Sequence, residues 1–164
     1  MTNVVIRDSL ETDYSSIIEL NASEVQKTSP VDLDKMRLLA SLSSYNKVAV
    51  VGGEVAAFLL AVAHGANYKN VNYEWFASRF SSFLYIDRIV VGARFAGLGI
   101  GRALYEDLFS YARRHSLGHV TCEYNIDPPN LASKAFHAKF GFEEHGSQWV
   151  TGGAKEVSFQ VAVV

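Results

Sequence analysis

Apolar positions in the first half of the chain repeat with two different periods, which separates strands from helices. Val4 to Arg7 predicts a strand. Two stretches with apolar residues three or four apart then predict helices, the first capped by Asp13 and the second beginning near Asp32. Two apolar runs joined by a diglycine predict a β-hairpin over 47–63. The polar and aromatic residues 64–80 show no clean period, so no element is predicted there.

The second half of the chain alternates strand and helix more regularly. A β-rich run over 83–91 leads into a glycine-rich turn, and a helical spacing of apolar residues follows from Ile100 to Ala112. The remaining predicted elements are a strand over 120–124, a helix from Asn130 that Gly141 ends, and two strands near 147–151 and 156–164. The order βααβββαβαββ predicts one α/β domain over residues 1–164, with a mixed sheet flanked by helices.

Charge and cysteine content narrow the classes of partner. The chain has 15 basic and 17 acidic residues, a balance that argues against nucleic acid or an anionic membrane as partner. Cys122 is the single cysteine, so an intrachain disulfide is impossible, and its place on a predicted strand is typical of a buried small hydrophobe. No signal-peptide pattern precedes Val4, and no apolar run approaches the ~20 residues of a membrane span. We therefore expect a cytoplasmic protein.

Three glycines alternate between the predicted strand and the following helix, at Gly97, Gly99 and Gly101. A helix N-terminus presents unpaired backbone N–H groups, and glycine lets a bulky anion approach them closely. The dinucleotide fingerprint is not completed, since Arg102 and Leu104 stand where its third glycine belongs, and no Walker A lysine follows the turn. The turn is interpreted as an anion site, with a tight packing turn as the alternative.

Two segments carry a resemblance to a known family. Residues 89–104 resemble the cofactor-binding motif of the GNAT family of N-acetyltransferases, in which a hydrophobic strand leads into Arg/Gln-x-x-Gly-x-Gly/Ala and a helix. Residues 130–142 resemble that family's Asn-x-x-Ala-x-x-Leu-Tyr-x-x-x-Gly-Phe helix, and the element order is similar as well. Ala96 departs from the family's Arg/Gln, and His137 departs from its tyrosine.

The resemblance implies a GNAT-type acyl-CoA N-acyltransferase fold, with a central mixed, mostly antiparallel sheet flanked by helices. It also implies an enzyme that transfers the acetyl group of acetyl-CoA to a primary amine of a small molecule or protein. A CoA-binding regulatory module without significant turnover is the alternative, and Ala96 and His137 are the features that favour it. An unrelated nucleotide-binding domain is disfavoured by the failed loop motifs.

The resemblance further implies where acetyl-CoA binds. The pyrophosphate would lie on backbone amides of the glycine turn, with the Arg102 side chain either reaching a phosphate or remaining a surface arginine. The pantetheine arm would pair with the strand before the turn, its thioester carbonyl near the Val90 and Val91 amides, while Asn130 would contact pantetheine, cap its helix, or do both. No metal is expected. The implied binding residues are Ile89, Val90, Val91, Gly97, Leu98, Gly99, Ile100, Gly101, Arg102, Asn130 and Ser133.

His137 is the candidate general acid or hydrogen-bond donor toward the CoA thiolate. A histidine, with a reference pKa of about 6.5, exchanges protons readily at neutral pH. Helical spacing places Asn130, Ser133 and His137 on one face, which we expect to point away from the core and toward the cofactor. The alternative is an ordinary surface histidine. The buried stripe is expected to comprise Ala132, Ala135, Phe136 and Phe140.

Two carboxylates are candidates for the general base. Glu123, the first choice, lies in a strand context similar to that of the base in ribosomal-protein N-terminal acetyltransferases. Asp87, the second choice, lies on a strand where other family members place a carboxylate or histidine. Strand alternation is expected to put Asp87 on one face with Tyr85 and Ile89, and Arg88 on the other. A structural role for either carboxylate, and a water relay without a dedicated base, remain alternatives.

The acceptor is not identified by the sequence. The segment from Tyr68 to Phe80 is dense in aromatic residues for a connection between elements. Three placements stay open for it: the wall of an acceptor pocket together with residues 25–31, packing on the sheet, or contact with a second subunit in a homodimer.

Overall fold

The computed structural model describes residues 3–24, 28–127 and 129–164, and these form seven strands and five α-helices. The predicted elements are confirmed, and a helix is added in the segment where none was predicted. Asp13 precedes the first helix as expected, but its carboxylate accepts from Arg7 and from the Leu10 N–H and makes no capping bond to that helix. The strands are β1 (Val4–Asp8), β2 (Tyr45–Val51), β3 (Glu54–Ala63), β4 (Leu84–Val91), β5 (His119–Asp127), β6 (Glu143–Val150) and β7 (Lys155–Val163). The helices are α1 (Tyr14–Ala22), α2 (Leu33–Leu42), α3 (Val71–Ala77), α4 (Ile100–Arg114) and α5 (Leu131–Ala138).

All seven strands form one sheet in the order β1-β2-β3-β4-β5-β7-β6. Every neighbouring pair is antiparallel except β4 and β5, which are parallel and paired only through Leu84 with Val120 and Tyr85 with Thr121. The expectation of a mixed, mostly antiparallel sheet is confirmed. Because the β4–β5 ladder is so short, the rest of β4 has an edge that β5 does not cover.

A β-bulge in β4 decides which side chains share a face of the sheet. Leu60 pairs with Arg88 and the next residue of β3 pairs with Ile86, so Asp87 is an extra residue in β4. A bulge shifts the alternation of side chains by one position. The expectation that Arg88 faces away from Asp87 is therefore wrong, because both lie on the face of Tyr85. The same shift makes the expected placement of Ile89 beside Tyr85 wrong, since Ile89 packs in the opposite core.

Each face of the sheet carries its own hydrophobic core. The α4 core combines Leu104 and Tyr105 with strand residues such as Leu84, and the other core packs α1, α2 and α3 around Phe58 and Phe159. Burial of apolar side chains on both faces accounts for the stability of an α/β layer arrangement. None of the helices among the described residues is long and apolar enough to span a membrane.

The aromatic segment packs on the sheet through α3, which is one of the three placements left open. Asn70 caps this helix by accepting from two backbone N–H groups, and Trp75 stacks on Phe159 with ring centroids 4.2 Å apart. Gly146 of β6 lets Trp75 approach, because a Cβ there would lie 2.6 Å from the indole. Of the predicted acceptor wall over 25–31, residues 25–27 lie outside the described residues.

Candidate functional site

The glycine turn has the backbone geometry of an anion-binding helix start. Gly97 and Gly99 have φ of 80° and 74°, and Gly99 is the N-cap residue of α4. The backbone N–H of Ala103 donates to the carbonyl of Gly99 at 3.0 Å. The N–H groups of the helix residues before Ala103 precede this bond, so they point out of the helix end. Their partial positive charge, at the start of a 15-residue helix, fits an anionic group.

Side chains around the turn lie outward, except at the first helical residue. Leu98 is exposed, whereas Ile100 is buried and anchors the helix start in the α4 core. Arg102 is 76% exposed and donates to Glu106 at 2.8 Å across one helical turn. Arg102 therefore occupies the surface position that the sequence left as one of its two alternatives. Its contact with a phosphate stays a prediction.

The uncovered edge of β4 directs main-chain groups into the gap beside β5. The N–H of Gly92 donates to the carbonyl of Ala56 on β3 at 2.8 Å. In an antiparallel ladder these bonds alternate, so the main chain of Val90 also faces β3, and those of Ile89 and Val91 face the other way. A cavity of about 180 Å³ lies along this segment and is lined in addition by Glu24 and Thr28. The expectation from the resemblance was that both the Val90 and the Val91 amides lie near the thioester carbonyl. The main chain of Val90 instead faces β3, so of these two amides that of Val91 is directed into the gap.

The start of α5 is capped by Asn130, whose side-chain oxygen accepts from the Ser133 N–H at 3.2 Å. Capping was one of the alternatives for Asn130, and the described geometry supports it. Contact of either residue with pantetheine stays a prediction. Ser133 lies on the half-buried side of the helix, one turn before His137.

His137 is buried, and the expectation that it points away from the core is wrong. It is 6% exposed, whereas Ala132 and Ala135 of the predicted stripe are exposed. The imidazole can be buried because both ring nitrogens have partners: Nε2 lies 2.7 Å from the Tyr105 hydroxyl and Nδ1 lies 2.7 Å from the Ser133 carbonyl. Apolar periodicity alone did not detect a polar side chain whose hydrogen bonds are satisfied inside the protein.

The partners of His137 fix its protonation. A carbonyl only accepts, so Nδ1 carries the proton that reaches Ser133, and Nε2 accepts the Tyr105 O–H. Burial lowers the pKa of His137, which keeps the ring neutral at pH 7. A neutral imidazole bonded in this way has no ring N–H to offer a thiolate.

Among the described residues, Glu123 is the carboxylate whose pKa is shifted furthest from its usual value. Its Oε1 accepts from the Tyr85 hydroxyl and from Asn72 Nδ2, each at 2.8 Å. Its Oε2 is buried and has no hydrogen-bond partner among the described residues. Burial raises the pKa of Glu123 to about 7, and the nearby Asp87 carboxylate adds to the rise, while the two donated bonds oppose it.

Asp87 differs from Glu123 because both of its oxygens are occupied. Oδ1 accepts from the Tyr68 hydroxyl, and Oδ2 accepts from Arg88 Nε at 2.6 Å. The Asp87 side chain is only 2% exposed, and Arg88 is held in turn by the loop after α1, through the carbonyl and hydroxyl of Ser29. This arrangement matches the structural alternative for Asp87.

The structure brings two of the three predicted catalytic side chains together and separates the third. Glu123 and Asp87 share the face covered by α3, whereas His137 lies on the α4–α5 face among Tyr105 and Phe142. Sequence reasoning missed Asn72, because it lies in α3. The capping residue Asn70 and the helical spacing of the following aromatic residues were the available signal for that helix.

The described residues include no cluster of three or more His, Cys, Asp or Glu side chains that would hold a metal.

Cys122 is buried, and burial raises the pKa of its thiol well above the usual value. A thiol with that environment is a poor nucleophile.

Comparisons with known proteins give a family match and similar folds for this chain. A family model described as "Acetyltransferase (GNAT) family" matches residues 7–142. Ribosomal-protein-S18-alanine N-acetyltransferase from Escherichia coli is similar in fold, with TM-score 0.75 and 16% identity over 99% of this chain and 94% of that chain. Ribosomal-protein-alanine N-acetyltransferase from Brucella melitensis has TM-score 0.78 and 21% identity over 98% and 99% of the two chains.

A third solved structure, yncA from Salmonella typhimurium with its cofactor acetyl-CoA, has TM-score 0.73 and 20% identity over 98% of this chain and 94% of that one. The search of curated protein sequences gave no significant match. At these identities the structural likeness establishes the fold.

Proposed function

The chain belongs to the GNAT acetyltransferase family, and we propose that it transfers the acetyl group of acetyl-CoA to a primary amine of a small molecule or a protein. The observation that carries the proposal is the state of Glu123. A buried carboxylate with a pKa of about 7 and one unpartnered oxygen is suited to accept a proton near neutral pH.

Acetyl-CoA supplies the activated acetyl thioester, and the residues around the β4–α4 junction have groups to bind it. The amides from Gly97 to Arg102 would hold the pyrophosphate at the start of α4. The outward main-chain groups of Ile89 and Val91 would pair with the pantetheine arm in the manner of an added strand. Asn130 and Ser133 at the start of α5 would border the same arm.

Glu123 would act as the general base. As the amine nitrogen bonds to the acetyl carbon and the carbon–sulfur bond breaks, Oε2 takes a proton from the nitrogen. The departing thiolate then takes a proton from solvent. We prefer Glu123 to Asp87 because the two oxygens of Asp87 already accept from Tyr68 and Arg88, so its carboxylate has no comparably unoccupied oxygen.

His137 would act as a positioning residue. Its bond to Tyr105 ties α5 to α4, and its bond to the Ser133 carbonyl fixes the ring within α5, beside the region proposed for pantetheine. A proton transfer from His137 to the thiolate would require one of these bonds to break. The site therefore gives it a structural task that depends on the neutral ring.

Thiol release from acetyl-CoA, measured across a panel of small amines and peptides with free N-termini, tests the proposal. Peptides with N-terminal alanine belong in the panel because two of the similar structures are ribosomal-protein alanine acetyltransferases. Glu123→Gln should lower kcat by roughly 10²- to 10⁴-fold, the usual contribution of a general base. The matched control is Glu74→Gln, an exposed carboxylate on α3.

The outcomes separate the two functions. CoA binding without thiol release for any amine would favour the regulatory module and refute the transferase. Turnover that is equal in Glu123→Gln and Glu74→Gln would refute Glu123 as the base while leaving the transferase in place.

A further inference from the structure

Asn72 has one half of its amide occupied and the other half unoccupied. Nδ2 donates to Glu123 Oε1 at 2.8 Å, while Oδ1 is buried and lacks a hydrogen-bond partner among the described residues. The amide nitrogen faces the carboxyl group, and this orientation suits the ionised form of Glu123, which can only accept. Glu123 Oε2 is also buried without a partner. Two acceptor oxygens thus remain unsatisfied on two side chains that one hydrogen bond joins.

Such a pair is unusual because a buried acceptor without a donor is destabilising. The neighbouring polar groups are already committed: Tyr85 donates to Glu123, and Tyr68 donates to Asp87. Unsatisfied acceptors that persist inside a folded protein deserve a functional explanation. Both oxygens are acceptors, so a bound group that satisfies them must supply N–H or O–H donors.

Asn72 also reaches the protein surface. It lies on the wall of a groove of about 520 Å³ between the start of α3 and the β6–β7 hairpin, together with Lys69 and Trp149. Trp149 is exposed, although tryptophan is usually mostly buried. A ligand in this groove would contact Asn72 from outside, and Asn72 in turn contacts Glu123.

We propose that Asn72 is a specificity-determining residue that contacts the acceptor nitrogen: Asn72 Oδ1 and Glu123 Oε2 each accept one N–H of a primary amine that enters from the groove. The inference rests on the proposed function, in which Glu123 is the base. The amide of Asn72 has two tasks, since Nδ2 holds Glu123 Oε1 and Oδ1 holds the nucleophile.

The arrangement selects primary over secondary amines. A neutral primary amine that attacks the thioester has two N–H bonds, one for each acceptor oxygen. As the nitrogen–carbon bond forms and the carbon–sulfur bond breaks, Glu123 Oε2 takes one proton and Asn72 Oδ1 keeps the other N–H in place. A secondary amine has a single N–H and leaves Asn72 Oδ1 unsatisfied, which sites with buried polar groups reject strongly.

The test compares matched amines on the full chain. The probes are an alanine-initiated peptide and its N-methylalanine counterpart, together with the best primary amine from the thiol-release panel and its N-methyl derivative. The variants are Asn72→Leu, which removes both polar atoms at similar volume, Asn72→Asp, which keeps an acceptor oxygen, and Glu74→Gln as the control on the same helix. Circular dichroism and thermal unfolding verify that each variant is folded.

We expect Asn72→Leu to lower kcat/KM for the primary amine by about 10- to 100-fold, the effect of losing a hydrogen bond in a polar site, and to reduce the preference over the N-methyl amine. Asn72→Asp should also lower the rate, because a second carboxyl group replaces the Nδ2 donor to Glu123. It should retain the preference better than Asn72→Leu, because an oxygen remains to accept the second N–H. Glu74→Gln should match the unaltered chain.

Two results would overturn the inference, and they are distinguishable. If the unaltered chain acetylates primary amines and Asn72→Leu keeps both rate and preference, the role of Asn72 is refuted while the transferase stands. If the unaltered chain releases no thiol with any primary amine, the proposed function fails, and the inference fails with it. If Asn72→Leu does not fold, the test rests on Asn72→Asp and on its preference for the primary amine over the N-methyl amine.

Discussion

Replacing Glu123 with glutamine should change how the stability of the protein depends on pH. In the folded chain the pKa of Glu123 is raised to about 7 by burial, compared with 4.5 for an unperturbed glutamate. Between those two values the folded state keeps a proton that the unfolded state has released. Because the folded state then binds more protons, the free energy of unfolding must fall as pH rises. The stabilising contribution is complete below the unfolded pKa and is lost as pH passes through the folded pKa.

The size of the effect follows from the two pKa values. Integrating the difference in bound protons from pH 5 to pH 8 gives a loss of roughly 2–3 kcal/mol in the free energy of unfolding. Glutamine has no carboxyl proton to lose, so Glu123→Gln removes this loss. The variant should therefore gain roughly 2–3 kcal/mol relative to the original chain between these two pH values. Urea denaturation followed by circular dichroism at pH 5, 6, 7 and 8 measures the difference directly.

The change in the free energy of unfolding between two pH values is more informative than the free energy at either pH alone. Any change that the amide makes to packing or to the bonds from Tyr85 and Asn72 is present at every pH and cancels in the comparison. Glu74→Gln, which removes an exposed carboxylate from the same region, should track the original chain at all four pH values. Parallel curves for Glu123→Gln and the original chain would refute a pKa near 7, and with it the physical basis for calling Glu123 the base.

Three further substitutions test other parts of the site. Gly99→Val should abolish CoA binding in isothermal titration. It should also lower the free energy of unfolding by about 1–2 kcal/mol, because Gly99 has φ of 74°. The control Gly52→Val introduces the same type of backbone strain at the β2–β3 turn and should leave CoA binding intact. His137→Ala should lower the free energy of unfolding by about 2–4 kcal/mol in urea, and a surface histidine would show almost no loss. Gly146→Ala should lower the free energy of unfolding by about 1–3 kcal/mol, because the added Cβ contacts Trp75. The displaced indole should change the near-UV circular dichroism, and an unchanged spectrum would refute the contact. Adding Trp75→Leu to the same chain should recover part of the lost stability.

Local patterns were sufficient to predict most of the fold. The glycine turn lies between a strand and an amphipathic helix, and the helix begins at Ile100, as the spacing of apolar residues indicated. The helix α3 was missed because it is only seven residues long, and both of its main anchors, Tyr73 and Phe76, point into the core. A helix that short is stabilised by tertiary packing rather than by its own sequence, so its period is difficult to detect.

The parts of the site that sequence did not predict depend on contacts between distant residues. The burial of His137 depends on Tyr105, which lies 32 positions earlier, and a helical wheel of α5 alone contains no information on that partner. The hydrogen bonding of Glu123 depends on Asn72, which donates to its Oε1 and lies 51 positions earlier in an element that was not predicted. Periodicity measures which face is apolar, and it does not measure which polar groups find partners inside.

One inserted residue explains why the two candidate bases have different properties. In a regular strand the side chains of Asp87 and Arg88 would point to opposite faces, and the aspartate would lie near Glu123 without its nearest cation. The bulge turns Arg88 to the same face, where its guanidinium pairs with the Asp87 carboxylate. Glu123 gains no such cation and remains buried with hydroxyl and amide donors on one oxygen only. Without the bulge, Asp87 would be buried beside Glu123 without its guanidinium partner, so the bulge is the feature that gives the two carboxylates different environments.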